Sequence, residues 1–133
     1  MTALALLLTL MAQDADMPAL NGPVRPMIEC SEHLNDDRAL RNCMEDLLRD
    51  AESALADALS AARTEAREID LDMPGMAHAT ARLDAAHTAW IAYRDAECDR
   101  RASLLMIGDN AANVGIDCRV SLTRSRTREL IEQ

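Results

Sequence analysis

The strongest constraint on this chain is one long hydrophobic pattern that nothing interrupts. Leu40, Met44, Leu47, Leu48, Ala51, Leu55, Ala58, Leu59 and Ala62 recur at steps of three and four. That spacing gathers a single buried face on an α-helix. Asn35 to Asp37 supply N-caps, and aspartate suits the positive end of a helix. No glycine or proline follows until Pro74-Gly75. The spacing therefore predicts a helix of about thirty residues, a length common in helical hairpins.

Composition agrees. Of 133 residues 24 are alanine, with one Trp, one Tyr and no Phe. Alanine favours helix and is depleted in strands. It also buries little area, so the core is thin for the chain's length. One domain is expected, since half of this chain would not build its own core.

A second helix is expected from near Met76, with Leu83, Ala86, Trp90, Tyr93 and Cys98 on its inner face and an end by Gly108. Residues 108–115 read GDNAANVG, the composition of a turn-rich loop. A short third helix should follow from about Asp117, with Val120, Leu122 and Leu130 as its apolar positions. The expected fold is all-α: a long antiparallel helical hairpin with a shorter third helix, spanning 36–133 and stabilised by disulfides.

Ahead of it, residues 13–35 read as an extended arm, with Pro18, Gly22, Pro23 and Pro26. Residues 1–12 carry the uncharged run ALALLLTLMA, too short to span a bilayer as a helix. It resembles the apolar stretch of a secretory signal cleaved near Ala12, although no basic residue precedes it and Leu10 is large for its position. The alternative is an apolar helix packed on the body.

Four cysteines in a short, thin-cored chain point to two disulfides and an oxidising compartment, periplasmic or extracellular. Cys30 with Cys43 and Cys98 with Cys118 are the local pairings we favour; four cysteines allow three arrangements, and crossed pairings stay open at this stage. A zinc site from Cys30, His33 and Cys43 is disfavoured, because no C-x-x-C pair exists. The haem signature C-x-x-C-H is absent too.

All 14 basic residues are arginine, and the net charge is −9. An acidic chain lacks the basic face that nucleic acid or anionic membranes require. Without lysine there is no Schiff-base or P-loop lysine chemistry. The imbalance is local: residues 14–72 hold fifteen acids against six arginines, whereas 73–133 hold eight of each. This reads first as a solvated helix face and second as a surface that steers a basic partner.

No catalytic or metal motif stands out. His78 and His87 lie nine residues apart, on opposite sides of one helix. Asp36 and Asp37 are better read as helix-start residues than as a hydrolase dyad. The segment from Asp109 to Asp117 fails the spacing of a calcium loop. We expect no enzyme activity, no cofactor and no metal.

Residues 90–98 read WIAYRDAEC. They set Trp90, Tyr93, Arg94, Asp95 and Cys98 within nine residues, and first of all suggest a knot in the bundle core. Together with Cys30 leading to Asn42-Cys43, and with Cys118-x-x-x-Leu122-Thr123-x-x-Arg126-x-x-x-Leu130, they carry a resemblance. Over residues 30–130 the chain resembles the LprI-like lysozyme-inhibitor N-terminal domain family. The resemblance implies an all-helical, exported, disulfide-bearing fold and inhibition of lysozyme. One departure is His87, where the family commonly carries Gln; it is expected to alter a hydrogen bond and not the fold.

Typical animal lysozymes are basic, so the acidic half would attract one. Asp109, Asn110 and Asn113, in a loop ordered by a Cys98–Cys118 bond, are the candidate contacts, with hydrogen-bonding side chains suited to a sugar-binding cleft. Leu104, Leu105, Met106 and Ile107 either anchor that loop or form a patch. The competing function is a periplasmic interaction module for another protein partner. The oligomeric state stays open, since a long alanine-rich helix can also pack on its own copy. Thiol titration of denatured protein from its native compartment should find no free thiol without reductant and four with it. Four thiols without reductant would undo the export argument.

Overall fold

The computed structural model describes residues 25–105 and 109–133; the expected signal segment, the expected arm up to residue 24, and 106–108 lie outside them. All regular structure among the described residues is helical: α1 (Pro26–Glu29), a 3₁₀ turn (Ser31–His33), α2 (Asp37–Asp72), α3 (Ala79–Ser103) and α4 (Asp109–Ile131). The α-helical class and the hairpin match expectation.

The ends follow local chemistry. Asp36 caps α2, its Oδ1 accepting from the backbone N–H groups of Arg38 and Ala39 at 3.1 and 3.0 Å. The helix then runs 36 residues, about 54 Å at the standard rise. It stops at Met73 because a residue before proline avoids the helical region. Gly75 makes the turn at φ 71°, where a Cβ is unfavourable.

The three long helices run up, down and up. Near one end, Cys30, Leu40 and Met44 form a buried cluster with Met27, Cys43, Leu47 and Ile116 around it. Farther along, Leu55, Ala58, Leu59 and Leu130 form a second cluster against which Ala62, Leu83 and Trp90 pack. Ile116 meets the start of α2 and Leu130 its middle, so α4 runs parallel to α2. It lies against both members of the hairpin more extensively than they lie against each other. None of residues 113–127 is exposed.

Several expectations are corrected here. Segment 108–115 is not a turn-rich loop: α4 begins at Asp109 and has 23 residues. Gly115 serves close packing instead, since a Cβ there would meet Ala102 Cβ at 3.7 Å and Arg119 Nη1 at 3.3 Å. The arm is also not wholly extended. Pro26, suited to a first helical position, starts a four-residue turn that ends at the Cys30 bridge. The second helix begins at Ala79, not near Met76, because the connection through Pro74 and Gly75 continues to His78.

The inner face of α3 is Leu83, His87, Trp90, Arg94 and Cys98. Ala86 is exposed and Tyr93 is 56% exposed. At 100° per residue, choosing Arg94 over Tyr93 rotates the face by one position.

Both disulfides join the local pairs, Cys30–Cys43 and Cys98–Cys118. Each closes a loop that, in the chain-entropy model, is worth about 3 kcal/mol. Replacing Cys98 and Cys118 with alanine should therefore lower unfolding free energy by about 2–4 kcal/mol in urea titrations.

Candidate functional site

The Trp90–Cys98 block forms one connected polar arrangement. Arg94 on α3 is only 12% exposed at its side chain. Its Nη1 donates to Glu52 Oε1 of α2 and to Thr123 Oγ1 of α4, both at 3.3 Å. Its Nε donates to Asp95 Oδ1 at 3.0 Å. The guanidinium carbon lies 5.3 Å from the Trp90 ring centre, a cation–π contact. One planar side chain thus joins all three long helices, which a lysine has no donor geometry to do. Arg119 of α4 extends the network to Asp95 and Asp99 of α3 at 3.5 and 2.7 Å.

The remaining motif residues belong to the same interior. Leu122 is half-buried and Leu130 is buried in the second cluster. Arg126 reaches Glu129 at 3.1 Å. His87 stacks near Trp90, with ring centres 6.0 Å apart. Burial first, and then the positive charges of Arg63, Arg126 and Arg94, lower the His87 pKa, with Asp84 opposing them.

The proposed contact loop does not exist as a loop. Asn110 is exposed on the first turn of α4, and Asn113 is 1% exposed inside the bundle. A side chain so placed presents nothing to a partner. Among the described residues Asn113 Oδ1 accepts no hydrogen bond. The signal that placed these residues in a loop was composition alone.

Two surface features escaped sequence reading. An apolar cleft of about 470 Å³ lies between α1 and α4, with Met27, Ile28, Leu34 and Val114 among its walls and Arg25 and Arg101 beside them. At the opposite end is the α2–α3 connection. Here Asp70 accepts from the Ala79 N–H at 2.7 Å and the Thr80 N–H at 3.0 Å, capping α3 from the preceding helix. These two bonds, Thr80's first, hold the Asp70 carboxyl below its usual range. His78 adopts φ 51°, a conformation uncommon outside glycine.

Chemically the arrangement looks structural. Glu97 is held to about 2 by hydrogen bonds from Arg100 and then Arg101. Neither Asp70, His87 nor Glu97 lines the cleft. Among the described residues no group of three or more His, Cys, Asp or Glu is placed to hold a metal ion.

Two predictions follow from this geometry. Arg94→Ala should cost about 2–3 kcal/mol in chemical denaturation, because several charge-assisted bonds go at once. Arg94→Lys should recover less than half of that loss. The fold lowers the His87 pKa, chiefly by burial, whereas in the unfolded chain the ring takes a proton below about pH 6.5. Stability should therefore drop as pH falls through that value toward the lower folded pKa. His87→Gln should flatten this part of the profile, read as the difference in melting temperature between the two proteins from pH 7.5 to 5.

A family model described as lysozyme inhibitor LprI matches residues 30–130. No curated protein and no solved structure gave a match. The matched stretch starts at the first disulfide cysteine, holds both bridges and the Arg94 network, and ends at the Leu130 of the second cluster. The chain belongs to the LprI lysozyme inhibitor family.

Proposed function

We propose that this is an exported, non-catalytic protein that binds lysozyme and so protects the cell wall. The observation that carries the reading is the family match over residues 30–130. The closed disulfides suit an oxidising compartment. Among the described residues no helix is long and apolar enough to cross a membrane.

The charge distribution supports a basic partner. Glu45, Asp46, Asp50, Glu52, Asp57, Glu65 and Glu68 are all exposed along α2. Such a field speeds encounter and favours partners of opposite sign more than it adds affinity. A second reading, a periplasmic module for a different protein partner, draws on the apolar cleft between α1 and α4.

A turbidity assay with a basic lysozyme and bacterial cell walls tests the first reading. The protein should slow clearing, and no effect well above the enzyme concentration would sink it. Salt should slow association, because the screening length falls from about 10 Å at 0.1 M to about 3 Å at 1 M.

A further inference from the structure

The α2–α3 connection is built like a contact element. Residues 71–76 are all exposed. Leu71 and Met76 are 78% and 76% exposed, with Met73 at 46% between them. Three large apolar side chains on one six-residue convex segment gain nothing for the fold. The backbone beneath them is held: Met73 N–H donates to Ile69 O, Met76 N–H to Met73 O, and Asp70 ties the end of α2 to the start of α3. A contact element ordered before binding loses little conformational entropy when it docks.

The charge around this tip is equally unexplained by folding. Glu65, Glu68, Asp70 and Asp72 fall in the last eight residues of α2 against one arginine, Arg67, and no basic residue lies in its last turn. Acids at a helix C-terminus oppose the helix dipole. Asp70 has its capping bonds, but Glu68 and Asp72 form no ion pair among the described residues, and both are exposed. An exposed apolar tip that is net acidic, with Glu65, Glu68, Asp70 and Asp72 against Arg67 and Arg82, fits a concave, basic surface. A second copy of this chain is a poor fit, because two such tips are alike in charge and both convex.

We infer that the α2–α3 tip, with Leu71, Met73 and Met76 as apolar anchors and Glu68 and Asp72 as flanking charges, is the surface that docks on a basic lysozyme. This rests on the lysozyme-binding reading above and adds the surface that performs it.

The test compares the intact protein with Leu71→Ala/Met76→Ala, Glu68→Gln/Asp72→Asn and Asn110→Ala, using inhibition and direct binding to a basic lysozyme. The apolar double variant should keep its helicity and weaken binding about tenfold or more, as loss of anchor residues does. The charge variant should bind more slowly at low salt and like the parent at high salt. Asn110→Ala should match the parent.

If the intact protein inhibits and the apolar double variant inhibits equally, the tip is not the contact and the family reading stands. Loss caused by Asn110→Ala alone overturns the inference in the same way. If the intact protein neither binds nor inhibits, the family-based reading falls, and this inference falls with it.

Discussion

Arg94 is the side chain on which the interior depends. A bundle rich in alanine has little area with which to fix the spacing of its helices. Arg94 supplies both missing parts. Its guanidinium lies near the face of Trp90, and its donors reach Glu52 on α2 and Thr123 on α4. A buried polar network of this kind fixes geometry when its members are satisfied. The two disulfides act beside it at one end, tying α1 to α2 and α3 to α4. The Asp70 cap closes the other end of the hairpin.

The central position of α4 explains why its sequence misleads. From Asn113 to Thr127 it carries Asp117, Arg119, Arg124 and Arg126, a mixture that reads as solvent-facing. In the fold Asp117, Arg119 and Arg124 are each placed opposite a partner on another element, whereas Arg126 pairs along α4 with Glu129. Asp117 accepts from the Met27 N–H, Arg119 meets Asp95 and Asp99, and Arg124 makes a two-pronged bond to Glu29. A helix enclosed by two others and by α1 needs no polar face of its own. It needs small residues at the tight approaches, as at Gly115, and paired charges elsewhere.

The polarity of the molecule also bears on function. Its charge imbalance belongs to the arm and α2, and its rigid apolar tip lies at the far end of that helix. Charge spread along an exposed helix draws in a partner of opposite sign, whereas a small ordered apolar element supplies the close contact. The family the chain belongs to is described as a lysozyme inhibitor.

Local patterns in the chain determined much of this protein. The three-four periodicity from Leu40 to Ala62 sets α2, Asp36 sets its start, and Pro74-Gly75 sets its end. The cap and the proline–glycine stop are signals between near neighbours, and the periodicity marks the face whose energy comes from packing on the other helices. Spacing also favoured the local cysteine pairs, though only the folded geometry chose among three arrangements. The tertiary structure alone decided that Arg94, not Tyr93, faces inward, since its partners Glu52 and Thr123 lie 42 and 29 residues away. It alone made helix of a segment whose asparagines and glycine read as turn, because contact with α2 and α3 outweighs weak local preference. It alone left Leu71 and Met76 exposed among the described residues, where α2 and α3 meet in a turn and no described helix lies over it.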